Sequence, residues 1–185
     1  TLAHNWSFHA YGWIEHFRSR VPLTPSATDE LKWTHPGADA WLTWMALPRL
    51  RLDFGASSMA LETYQAFEKH LTFNQASVSA DWRFARKFTL GGSGIFGDYS
   101  DDNSKRSASG HLYWNREGKI KILTGPTLTY MDFSNPYPGG YWAPDWVRNG
   151  SWRLMVETRR GRMTFKFDGT AGLEKELGSE TLTVV

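Results

Sequence analysis

Apolar and polar residues alternate with a period of two along most of the chain. From Arg49 to Ala56 the even positions are Leu50, Leu52, Phe54 and Ala56, and the odd ones are Arg49, Arg51, Asp53 and Gly55. From Ser79 to Phe84, Ala80, Trp82 and Phe84 alternate with Ser79, Asp81 and Arg83. From Met163 to Leu173 the odd positions Met163, Phe165, Phe167, Gly169, Ala171 and Leu173 oppose Thr164, Lys166, Asp168, Thr170 and Gly172. Successive side chains of a strand point to opposite faces, so each stretch predicts a strand with one apolar and one polar face. Weaker versions of the pattern run over Asn5–Phe17, Asp39–Leu47, Leu71–Phe84, Phe88–Phe96, Ser107–Trp114, Ile120–Met131 and Ser151–Thr158. The count is about nine strands, several of them about ten residues or longer. Strands of soluble sheets are usually roughly five or six residues long, whereas a tilted transmembrane strand needs roughly nine to eleven.

The connections sort by length. Arg18–Ala38, Ser57–His70, Asp98–Arg106 and Asp132–Gly150 read as long or medium-long and polar. Leu47-Pro48-Arg49, Ala85-Arg86-Lys87, Asn115-Arg116-Glu117-Gly118 and Arg159-Arg160-Gly161-Arg162 are short. Long and short alternate throughout. Up-and-down antiparallel strands place alternate connections at opposite ends, and outer-membrane barrels carry short periplasmic turns at one end and long extracellular loops at the other. The expected fold class is therefore all-β, an antiparallel up-and-down transmembrane barrel or a segment of one, with residues 1–185 forming a single domain. Aromatic placement agrees: Trp82, Phe84, Phe88 and Trp114 lie beside short turns, and Phe96, Tyr130 and Phe133 beside long loops. Two aromatic girdles at the two water–lipid interfaces have this distribution.

Composition narrows the picture. Ten Trp, 17 Gly and 15% aromatic residues fit sheets with aromatic belts better than helical cores. The absence of Cys removes disulfide scaffolds, Cys-ligated metals and thiol nucleophiles. A formal net charge of +2 gives no bulk electrostatic reason to expect nucleic acid. No run approaches the roughly 20 apolar residues of a membrane-spanning helix, which leaves a barrel untouched because its lipid face averages away in hydropathy. The chain begins at Thr1 without a signal-peptide apolar core, as a processed protein or a piece of a longer one would.

Two segments carry a family resemblance. One runs from Ala80-Asp81-Trp82-Arg83-Phe84 through Leu90-Gly91-Gly92-Ser93-Gly94 to Gly97-Asp98-Tyr99-Ser100-Asp101-Asp102-Asn103. The other is Tyr137-Pro138-Gly139-Gly140-Tyr141-Trp142-Ala143-Pro144-Asp145-Trp146, then a strand, then Arg159-Arg160-Gly161-Arg162. Together they resemble the C-terminal barrels of Gram-negative exopolysaccharide export porins, the tetratricopeptide-fused barrels that secrete cellulose or poly-N-acetylglucosamine. In that family a loop of the type Y-S-D-x-N precedes one of the form G-Y-[FWY]-[SA]-P, which reads here as Gly140-Tyr141-Trp142-Ala143-Pro144. The resemblance covers Ala76 to Glu174. It implies an outer-membrane location, a polysaccharide chain as cargo and outer-membrane lipid around the wall. It also implies a periplasmic tetratricopeptide scaffold and an inner-membrane synthase as partners, although this sequence holds no such repeats. Barrels of this family resemble pores of about 16 strands, which about nine strands do not close. The chain is expected to be part of a barrel that another segment or chain completes; a closed barrel of eight or ten strands is the alternative.

Candidate chemistry points to surfaces for sugar. His4, His9, His16, His35, His70 and His111 lack the spacing of a metal pair, no G-x-S-x-G elbow occurs, and no carboxylate pair stands out. No enzymatic activity, metal or cofactor is expected. Asp101-Asp102-Asn103-Ser104 lacks the Gly and closing Glu of a calcium loop and reads as a solvated turn. Parity places Arg49, Arg51, Asp53, Asp81, Arg83, Arg153, Glu157, Lys166 and Asp168 on the polar, pore-lining side, as candidates for a substrate path or for ion pairs that brace the wall. Tyr137, Tyr141, Trp142, Asp145 and Trp146 are loop candidates for sugar contact, because aromatic rings cover the apolar faces of pyranoses and carboxylates meet their hydroxyls. Three prolines and Gly139-Gly140 predict that the Asn135–Trp146 loop is ordered and folds over or into the barrel mouth. The expected function is export of an exopolysaccharide across the outer membrane. A soluble barrel or sandwich that binds sugar or a small hydrophobic ligand is the alternative, and it would put the apolar face inside.

Overall fold

The structure, a computed structural model, describes residues 5–24, 27–137, 139–177 and 182–184, with backbone only for 19–24, 27–31, Tyr64 and 182–184. His4 and Pro138, named above, lie outside the described residues. The strands are β1 (Trp6–Thr24), β2 (Ala27–Leu47), β3 (Leu50–Ala60), β4 (Thr72–Ala85), β5 (Phe88–Tyr99), β6 (Ser104–Arg116), β7 (Ile120–Phe133), β8 (Trp146–Arg160), β9 (Met163–Glu176) and β10 (Leu182–Val184). They form one ten-stranded antiparallel sheet in sequence order. Among the described residues β1 and β10 are its two edges, so the sheet is an open, partial barrel wall.

The cross-strand register fixes the faces. Leu50, Trp82, Leu90 and Leu112 stand side by side on β3 to β6, and so do Phe54, Val78, Gly94 and Ala108. On β7 to β9, Ile122, Val156 and Phe167 form another such row. Trp82, Leu90, Leu112, Leu128, Trp152, Phe165 and Phe167 are exposed on this apolar face, Leu128 to 67%. The rows between them hold Asp53, Ser79, Ser93 and Ser109, and Asp81, Gly91 and His111. A groove of about 970 Å³ on the polar face is lined from Met45 on β2 to Arg153 on β8. The polar side is therefore the concave one, and the apolar side turns outward. A soluble barrel has the reverse polarity.

Three connections differ from the sequence reading. The Arg18–Ala38 stretch is not a loop: it continues β1 and β2 as a hairpin, with Arg20 opposite Glu30 and Arg18 opposite Lys32. β2 pairs with β3 only from Ala38 onward, so this arm is two-stranded, and Pro36 sits where its missing N–H faces no third strand. The arm hid from the pattern because a two-stranded ribbon has no core face to enforce alternation. The Ser57–His70 connection contains a short helix, α1 (Tyr64–Glu68), whose cap residue Thr63 accepts a hydrogen bond from the Ala66 N–H at 3.2 Å. The β5–β6 turn is tight, because strand pairing runs to Asp98 opposite Ser104. Among the described residues the count of about nine strands becomes nine long ones and the three-residue β10.

The buried core is small and sits at the long-connection end. Ala60, Ala66, Phe67, Leu71, Phe73, Phe133, Ala143 and Val147 compose it, with Pro144 and the polar Asn103. Phe67 of α1 packs edge-on against Phe17 at 5.4 Å and beside Trp33 of the arm at 6.2 Å. The connections gathered at this end thus touch one another, as an up-and-down order of antiparallel strands requires.

Candidate functional site

The polar wall changes character along its length. Near the short turns the groove is lined by Arg49, Arg51, Arg83, Arg86 and Arg153, against Asp81 and Glu117. Arg51 donates to Asp53 at 2.8 Å, and Arg153 grips Asp168 through two nitrogens at 3.0 and 2.8 Å. Lys166 lies 3.7 Å from the same Asp168, and Glu157 is paired with Lys121 at 2.7 Å. Arg83 reaches Glu117 only at 3.4 Å, with both side chains well exposed, a pair that solvent screens. Arg49 and Arg86 sit in the short turns and form no ion pair among the described residues. His111 stacks on Tyr113 at 4.3 Å, and its Nε2 lies 3.0 Å from Asp81, which fixes the ring.

The middle of the wall is built from small hydroxyl residues. Ser93 and Ser109 share a hydrogen bond at 2.8 Å, and so do the Tyr113 hydroxyl and Thr127. Two aromatic rings lie flat on this face over glycines of the next strand. A Cβ at Gly55 would fall 2.7 Å from the Trp41 ring, and one at Gly37 would fall 2.2 Å from the Trp13 ring. Trp41 is 42% exposed, and its indole N–H donates to Asp39 Oδ2 at 2.9 Å. Beside it Asp39 Oδ1 and Ser57 Oγ, opposite each other across β2 and β3, have no hydrogen-bond partner among the described residues.

At the long-connection end the 134–145 connection folds onto the polar face. Tyr141 stacks on Tyr99 at 4.3 Å and 10°. Its hydroxyl donates to the Asp101 carboxylate at 3.1 Å and accepts from Asn103 Nδ2 at 2.8 Å. Burial pushes the Tyr141 phenol well above its ordinary range; the Asn103 amide, the next largest influence, opposes it, and the Asp101 carboxylate adds to the rise. Asn103 is 1% exposed and fully used: it donates to the Asn135 carbonyl and accepts from the Asn135 N–H, both at 2.8 Å, and from Ser134 Oγ at 3.1 Å. The solvated turn read from Asp101-Asp102-Asn103 is instead the anchor of the neighbouring loop. The loop then reaches the β3–β4 connection, where Thr63 Oγ1 donates to the Gly140 carbonyl and Lys69 Nζ to that of Gly139 at 3.4 Å.

The structure brings eight of the nine pore-side candidates into ion pairs or polar contacts: Arg51 with Asp53, Arg83 with Glu117, Glu157 with Lys121, Arg153 and Lys166 with Asp168, and Asp81 with the His111 ring. Only Arg49 stands apart from them. Of the loop candidates, Tyr137 is exposed, its hydroxyl donating to Glu176 at 3.1 Å, and Trp142 is exposed beside Phe133. The backbone carbonyl of Asp145 accepts from the Phe133 N–H at 3.3 Å. Trp146 is the first residue of β8, on the apolar face, with the Arg148 guanidinium 4.8 Å above its ring. Sequence reasoning missed Trp41, His111, Tyr113 and Arg86. Parity could have found Trp41, which shares its face with Asp39 and Thr43.

No protein-family model matches the chain, and no curated protein matches it. Among solved structures the chain is similar to a "Bacterial polysaccharide outer membrane secretin", with a TM-score of 0.72 and 15% identity over 97% of this chain and 69% of that one. At this identity the likeness carries the fold, and it does not reach the narrower tetratricopeptide-fused family.

Proposed function

From this shared fold we propose that the chain is part of an outer-membrane pore through which an exopolysaccharide is exported, acting as a conduit and not as an enzyme. The observation that carries the reading is the polarity of the wall: an apolar outward face with exposed Leu, Phe and Trp, and a concave face of Ser, Thr, Gly and paired charges. Lipid satisfies the first and water the second. The similarity to a polysaccharide secretin supports the choice of cargo. The hydroxyl-rich middle offers a polymer exchangeable hydrogen bonds, and the exposed faces of Trp41, Tyr137 and Trp142 offer apolar contact to pyranose rings. The folded-in loop at the long-connection end narrows the exit. A periplasmic scaffold and an inner-membrane synthase complete the proposed route.

Fractionation and complementation test this. Cells lacking the protein should retain polymer in the periplasm and lose it from the surface, and re-expression should restore export. Recovery of the protein in the aqueous fraction, monodisperse without detergent, would contradict the reading.

A further inference from the structure

Resting on that reading, we infer that the exported polymer is a polyanion, a glycan bearing carboxylate or phosphate groups, and that Arg49, Arg83 and Arg86 capture it at the short-turn end. The groove there holds five arginines and two carboxylates, and its lining contains no lysine. Two of the arginines are consumed by the wall itself, Arg51 by Asp53 and Arg153 by Asp168. Of the remaining three, Arg83 has only the long, exposed contact to Glu117, and Arg49 and Arg86 have no ion pair among the described residues. A brace for the wall would be paired. Unpaired guanidiniums around a concave site are binding groups, and their planar fork matches a carboxylate or phosphate oxygen pair where a lysine would not.

The same groove holds the His111–Tyr113 stack, which gives a sugar ring an apolar face beside its charge. On the barrel reading the short turns face the periplasm, where the polymer enters. A polyanion is thus attracted at entry.

The test is single-channel recording of the full-length protein in planar bilayers of neutral lipid, with oligogalacturonate, dextran and chitosan oligomers of matched length added to the short-turn side. Oligogalacturonate should block current at a concentration about tenfold lower than dextran, an advantage of about 1.4 kcal/mol. The block should weaken with rising salt. In the Arg49→Gln/Arg86→Gln variant the advantage should vanish, and Arg49→Lys/Arg86→Lys should restore only part of it. An unchanged far-ultraviolet circular dichroism spectrum and melting temperature in detergent in both variants show that the wall is intact. Open channels that oligogalacturonate and dextran block equally, or that chitosan blocks best, would overturn this inference and leave the pore standing. A protein that forms no channel would overturn the pore, and the inference with it. Discrimination that appears only in bilayers of anionic lipid would assign the arginines to headgroups and overturn the inference as well.

Discussion

Asn103 illustrates how much a single side chain carries at the capped end. Its amide makes two donations and two acceptances, linking the β5–β6 turn to the 134–145 connection. Asn103→Ala leaves the Asn135 N–H and the Tyr141 hydroxyl short of a buried partner, a loss of about 1–3 kcal/mol, and urea unfolding in detergent should read it. Tyr141 adds a pH dependence. Its folded pKa lies above the unfolded value near 10, so the stability it contributes is complete below about pH 10 and is lost as pH rises beyond that through the folded value. The cap should therefore stay closed up to pH 10 and loosen above it, and Tyr141→Phe should weaken that alkaline transition when loop proteolysis is followed against pH. On the apolar face, Phe165 is 54% exposed. It lies three residues into β9 from the short turn, so on the proposed reading Phe165→Arg should cost about 1–2 kcal/mol between the interface and the bilayer midplane, whereas Lys166→Ala on the other face should be nearly silent for folding. Equal tolerance of the two in a folding titration would contradict the facing.

Strands were legible wherever both faces had work to do. Leu50–Ala56 and Met163–Leu173 alternate cleanly because, on the proposed reading, lipid selects one side and water the other; both fall within observed strands, and Arg49, read with the first, sits in the turn before it. The two-residue turn Pro48-Arg49 was visible from Pro and from the break in alternation. The β1–β2 arm was not, because an isolated ribbon imposes no face. Helix α1 was not, because five residues are too few for a helical period. The pore-lining charges followed from parity, but their pairing did not: Asp81 meets His111 two strands away, a contact that only the register of β4, β5 and β6 produces. The Pro-rich connection was expected to be ordered and to fold toward the mouth, and it lies on the polar face against Tyr99, Phe133 and the α1 segment. Deleting Tyr137–Asp145 should raise single-channel conductance if this element narrows the exit. A lower melting temperature with unchanged conductance and export would make it a strut.

For the whole molecule, the axial order of the wall matters more than any one residue: arginines at the short turns, hydroxyls and glycines in the middle, aromatic packing at the long connections. The apolar side has its own order, with Trp6 stacked on Trp44 at 4.7 Å and the Trp82–Phe84–Phe88 cluster near the short turns, and Tyr130 and Trp146 under Arg148 near the other end. Phe88 and Phe96 on β5 mark the two belts, roughly 26 Å apart along the strand, or about 20 Å in height at a strand tilt of about 40°, a little less than the roughly 25 Å apolar band of an outer-membrane barrel. The central claim is that the two faces meet different solvents. The cysteine-free sequence allows a direct test by single Cys substitutions at consecutive positions from Ser107 to Leu112 of β6 in the bilayer-inserted protein. A membrane-impermeant maleimide should label positions 107, 109 and 111 and spare 108, 110 and 112. Labelling of the even set in preference to the odd one, or uniform labelling of all six, would contradict the account.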